Sequence, residues 1–222
     1  MAILMNEEKI IAKTLAFVKE KLQHDTTGHD FEHIYRVYKL ANYIAKKEKA
    51  NPFIVALTAL LHDIADWKFN GGDEKAGGKE ARKWLEQFEL STEIIEEVVN
   101  IIDTLSFKGA KVKDKVHSLE GKIVQDADRL DAIGAIGIAR AFAYGGYKHR
   151  PLFAPDEKVI LHESFEAYQK GNSSTLHHFY EKLLLLKDRM HTETAKQLAE
   201  ERHAFLELFL KEFLKEWSFS ES

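Results

Sequence analysis

Cysteine is absent from this chain of 222 residues, which excludes disulfides, thiolate metal sites and a cysteine nucleophile, and agrees with a reducing compartment. Any metal must therefore be held by nitrogen and oxygen. No apolar run approaches the roughly 20 residues that a membrane span needs; the longest, Ala132 to Ala143, contains Arg140. The apolar start Met1 to Met5 is followed by Asn6-Glu7-Glu8 with no basic residue and no cleavage site, so no signal peptide is expected. Excess positive charge is also missing. A formal charge of −4 gives no overall attraction to nucleic acid or to anionic membranes, although a local basic pocket remains compatible with it. Repeats, low-complexity tracts and long polar linkers are absent as well, and the length suits one domain over 1–222. The expectation is a soluble, cytoplasmic protein.

Period-two alternation bounded by hairpin turns is lacking, and helical periodicity prevails, so the fold expected is all-α. Asn6 is placed to cap a first helix with Ile10, Ile11, Leu15 and Val18 on one side. A second helix spans about Asp30 to Lys49. Asn51-Pro52 puts a capping side chain before a proline at the first helical position, and the helix it starts is expected to end near Asp66. Further helices are expected over Lys79 to Phe88, Thr92 to Phe107, Lys115 to Leu130 and Ala132 to Tyr144. A loop over Gly145 to Pro151 follows, then helices over Glu157 to Lys170, Ser173 to Leu186 and Thr192 to Trp217. The region 156–222 reads as a helical C-terminal extension. Its wide apolar faces, with Leu183 to Leu186, Phe205, Leu206, Phe209, Leu210 and Phe213, suit packing on the core or a homodimer interface.

Chemistry concentrates where the apolar run Phe53 to Leu61 ends in His62-Asp63. Burying an imidazole beside an unpaired carboxylate costs several kcal/mol, roughly, unless something compensates both. His33 lies upstream and Asp128 downstream, with Asp126 competing for the same role two residues earlier. Two imidazoles and two carboxylates form a nitrogen and oxygen set suited to Mn²⁺, Fe²⁺, Co²⁺, Ni²⁺ or Mg²⁺. If the helix continues, Asp66 follows His62 by four residues and Asp63 by three, on one face, where it can act as general base or orient water. Arg36 follows His33 by three, and its guanidinium can grip a phosphate or pair with Glu32. Lys68, and Lys148, His149 and Arg150 further on, are candidates for neutralising an anionic substrate. Trp67, Phe69, Phe142, Tyr144 and Tyr147 are candidates for stacking on a base or for packing. Asp131 suits orientation of a ligand, a water or Arg129. His24, His29, His162, His177, His178, His191 and His203 lack ligand spacing and read as surface or core hydrogen-bonding residues.

The order His33, then His62-Asp63, then Asp128 resembles the ligand order of the HD-domain metal-dependent phosphohydrolases. The wider segments His62 to Phe69 and Asp126 to Tyr144 are similar to small bacterial stand-alone HD hydrolases. The resemblance implies an HD-type helical bundle with additional C-terminal helices and one divalent metal held by His33, His62, Asp63 and Asp128, since it places the last ligand at the aspartate before Arg129-Leu130. Between Asp63 and Asp128 only His117 is available, whereas dinuclear relatives carry further histidines there. The implied substrate is a small phosphorylated molecule, with a nucleoside triphosphate cut to monophosphate and pyrophosphate favoured. A 5′-nucleotidase or other phosphomonoesterase, and a non-catalytic metal- or ligand-binding helical protein, are the alternatives.

Overall fold

The computed structural model describes residues 2–23, 30–65, 73, 75–105, 114–158 and 173–219, with side chains from residue 7 onward. Among these the regular structure is helical, without strands: α1 (Ala2–Leu22), α2 (Phe31–Glu48), α3 (Pro52–Leu61), α4 (Ala76–Leu85), α5 (Thr92–Thr104), α6 (Leu119–Asp131), α7 (Gly134–Tyr147), α8 (Thr175–Glu181) and α9 (Glu193–Ser218). No helix is long and apolar enough to cross a membrane among the described residues. The chain divides into two compact units, one carrying α1 to α5 and α6 as far as Ala127, the other running from Asp128 to the end.

The first unit is organised around α3. Its residues Phe53, Val55, Ala56, Leu57, Ala59, Leu60 and Leu61 are all buried, so this short helix is apolar around its circumference and lies inside, packed against α1, α2 and α5. Each such large side chain contributes about 1.5–3 kcal/mol on burial. Asn51 starts the helix as expected, its side-chain oxygen accepting from the backbone N–H groups of Phe53 and Ile54 ahead of the proline-compatible first turn. Two polar contacts fasten α6 to this unit. Glu120 accepts from the Asn51 backbone N–H at 2.9 Å, and Gln125, itself buried, donates to the Leu105 carbonyl at 2.9 Å.

Several boundaries depart from the sequence expectation. The first helix begins at Ala2 rather than after Asn6, because Ala, Leu and Met ahead of Asn6 are themselves strong helix formers. The third ends at Leu61, not near Asp66; the Ile64 N–H turns back to the Leu61 carbonyl in a tighter i to i+3 bond. The expected loop at Gly145 is instead the last turn of α7. A Cβ on Gly145 would lie 2.1 Å from Thr175 Oγ1, so close packing on α8 outweighs the low helix propensity of glycine. Glu157 and Lys158 are not helical, and the remainder of the helix expected there lies outside the described residues.

In the second unit α7 packs on α8 and α9. Phe142, Phe179, Phe209 and Phe213 meet with ring centroids 5.8–6.1 Å apart, a spacing at which aromatic pairs attract. Phe142 is thereby a packing residue. Beside this cluster Glu157 Oε2 accepts from the Ser174 backbone N–H at 2.9 Å and lies 2.8 Å from His177 Nδ1. Burial pushes the Glu157 carboxyl up, but the hydrogen bonds from Ser174 and the contact with His177 outweigh it and hold the group below its ordinary value of 4.5. A depressed folded pKa stabilises the protein above the unfolded value and loses that contribution as pH falls through the folded one. Glu157→Gln is accordingly expected to lose about 1 kcal/mol at neutral pH, and the gap to the unsubstituted protein should narrow below pH 4.5. Denaturant unfolding at a series of pH values measures that difference; a gap constant with pH would contradict it.

Candidate metal centre

Local sequence places each candidate ligand at a helix terminus or on a helix anchored nearby. Asp30 caps α2, its Oδ1 accepting from the His33 backbone N–H at 2.8 Å, and so sets His33 in the first turn. The His33 side chain is fully buried. His62 follows the last residue of α3 and Asp63 follows His62, both in the turn that ends this helix. His62 Nδ1 is 2.9 Å from the Ala59 carbonyl. A carbonyl only accepts, so Nδ1 carries the proton and Nε2 presents its lone pair.

The two rings lie with centroids 5.3 Å apart. Asp63 Oδ2 sits 3.5 Å from His33 Nε2 and 3.9 Å from His62 Nε2. Asp128 extends from α6, whose preceding residues are fastened by Glu120 and Gln125. One ligand atom each from His33, His62 and Asp128 lie within 4.8 Å of one another. Among the described residues this is the one group of three or more such side chains close enough to hold a metal ion, and it includes Asp128 rather than Asp126. Positions two apart on a helix point about 200° apart, and Asp126 is fully buried.

The donor set fits a divalent cation. It is imidazole and carboxylate throughout, as suits Mn²⁺, Fe²⁺, Co²⁺ or Ni²⁺, and the Ala59 carbonyl orients His62 in the way that outer partners orient metal-bound histidines. Helix α4 backs the site: a Cβ on Gly77 would lie 3.6 Å from the Ala65 carbonyl and 4.0 Å from that of His62. The Gly77-Gly78 pair, part of the glycine-bearing stretch that follows His62-Asp63 in sequence, thus borders the turn that carries these two residues.

The other candidates are distributed differently. Arg36 lies on α2 one turn beyond His33 and is half-buried. Asp66, Lys68, Trp67 and Phe69 lie outside the described residues, as do His24, His29 and His162. Lys148 is exposed, its Nζ 5.7 Å from the Tyr144 ring and 5.2 Å from that of Tyr147; Arg150 lies 5.9 Å from Tyr144. His149 has a left-handed backbone at φ 54°. Asp131 pairs with Arg140 at 2.9 Å. His177 and His203 make the hydrogen-bonding and ion-pair contacts expected of structural histidines.

The chain is similar to known proteins over most of its length. The HD domain family matches residues 30–133, a span containing all four candidate ligands. Protein YpgQ of Bacillus subtilis (strain 168) is 40% identical over 213 residues, covering 96% of each chain. The crystal structure of that protein in complex with ADP matches with a TM-score of 0.72 at 38% identity, covering 93% of this chain and 97% of the other. An HD-superfamily hydrolase from Bacillus thuringiensis has 43% identity and a TM-score of 0.74, covering 96% of this chain and 100% of its own.

Proposed function

This chain belongs to the HD domain family, and we propose that it is a metal-dependent phosphohydrolase that cuts a nucleoside triphosphate at the α-phosphorus into monophosphate and pyrophosphate. The observation that carries the reading is the convergence of His33, His62 and Asp128 within 4.8 Å, with Asp63 Oδ2 beside both imidazoles. The ADP complex of YpgQ supports a nucleotide as the substrate class. A divalent cation held by these four side chains would supply Lewis acidity towards a phosphoryl oxygen and lower the pKa of water.

The chain's own groups do the rest. The Ala59 carbonyl keeps His62 in the tautomer that offers Nε2 as a ligand atom. Arg36, one turn from His33, holds a phosphate through its guanidinium fork, while Lys68, Lys148 and Arg150 balance the charge of the polyphosphate tail. Asp66 takes the proton from water as its oxygen attacks the α-phosphorus, the bond to the bridging oxygen breaks, and pyrophosphate leaves with that electron pair.

Turnover of nucleoside triphosphates with Mn²⁺ in ¹⁸O water tests the cleaved bond. Label in the monophosphate with intact pyrophosphate is expected. Label confined to inorganic phosphate would replace the reading with a phosphomonoesterase, and absence of hydrolysis across nucleotides and phosphate esters would leave a metal-binding protein without turnover.

A further inference from the structure

The last turn of α6 carries Asp128 and ends at Asp131, so its final carbonyls need partners from elsewhere. Local backbone bonds supply some: the Ala132 N–H reaches the carbonyls of Asp128 and Arg129, and the Ile133 N–H that of Leu130. The Leu130 carbonyl also accepts from Arg202 Nη1, on α9 and 72 residues away in sequence. The chain makes room for that side chain. Gly134 has φ +76°, and a Cβ there would lie 3.1 Å from Arg202 Cγ and 3.2 Å from its Cβ. Arg202 therefore threads its aliphatic stem past a residue without a side chain and puts a cation at a helix C-terminus, where the partial negative charge of the carbonyls favours it. The same turn is tied at two more points, by Arg129 donating to the Arg189 carbonyl and by Asp131 paired with Arg140.

We infer that Arg202 is a positioning residue for the metal centre: by holding the Leu130 carbonyl, it fixes the turn that presents Asp128. The C-terminal helix, beyond the HD match that ends at residue 133, thus takes part in building the site without touching the metal or substrate. This inference rests on the reading of Asp128 as a ligand.

Arg202→Met keeps the stem against Gly134 and removes the donor and its charge, whereas Arg202→Lys retains both. Calorimetric titration of the folded, metal-free proteins with Mn²⁺ alone gives the readout. Arg202→Met is expected to weaken Mn²⁺ binding about 10-fold, at the low end of the loss seen on removing outer-shell partners, and Arg202→Lys to recover most of it. A structural role alone would lower the melting temperature and leave the Mn²⁺ affinity of the folded protein unchanged; that result would overturn the inference while sparing the metal centre. An Arg202→Lys variant as weak as Arg202→Met would overturn it too. Should Arg202→Met not fold, Gly134→Ala crowds the same stem and is expected to weaken binding in the same direction; wild-type affinity there would count against the inference. No saturable Mn²⁺ binding by the unsubstituted protein would remove the metal-centre reading and this inference with it.

Discussion

Alanine at His33, His62, Asp63 or Asp128 is expected to lower metal affinity by more than the roughly 10- to 100-fold that loss of an outer-shell partner costs, and to reduce turnover with it. The reason is the small number of donors. His33, His62 and Asp128 bring one ligand atom each within 4.8 Å of the others, and removing any of them leaves too few to enclose a cation. Asp63 is expected to behave in the same way because its Oδ2 is within 3.9 Å of both imidazole nitrogens. Elemental analysis and hydrolysis assays on the same folded samples provide the check. Asp126→Ala is the informative companion: its carboxylate is fully buried but outside the converging group, so stability should fall while the folded protein keeps its metal. Full metal content in Asp128→Ala combined with loss in Asp126→Ala would transfer the ligand role to Asp126.

The largest stability effect is expected at Gly137. A Cβ there would lie 2.2 Å from the carbonyl oxygen of Ala132 and 2.3 Å from its carbon. These are backbone atoms of the corner between α6 and α7, and they cannot rotate aside as a flexible side chain can. Gly137→Ala should therefore cost about 3 kcal/mol, the upper part of the usual range for overpacking. Gly146→Ala is the matched control, because nothing lies within 4 Å of its Cβ position. Helical alanine in place of glycine should stabilise by roughly 0.5–1 kcal/mol. Thermal and denaturant unfolding of both variants measures the contrast, and equal stability of the two would refute the packing argument.

Asn51-Pro52 and the uninterrupted apolar run to Leu61 made α3 legible, because a cap and a helix interior are set by residues within a turn of one another. Asp30 was legible as the start of α2 for the same reason. The residue types at His33, His62, Asp63 and Asp128 likewise announced a nitrogen and oxygen donor set before any geometry was known, and the absence of cysteine removed the main competing metal chemistry.

Other features depend on residues that meet only after folding. Helix propensity did not reveal that α3 stops at Leu61, or that Gly145 lies within α7 against Thr175. Spacing left Asp126 and Asp128 in competition; Glu120 and Gln125 fasten α6, and Asp128 is the one found with the two histidines. Arg202 carried no local signal at all, since its partner carbonyl is 72 residues away. Short-range periodicity and side-chain type were enough for the helical class, the starts of α2 and α3 and the nitrogen and oxygen chemistry of the candidate ligands. Only the tertiary structure shows where α3 and α7 end and which distant side chains fasten α6, because close packing and hydrogen bonds between distant segments override local preferences worth at most about 1 kcal/mol per residue outside proline.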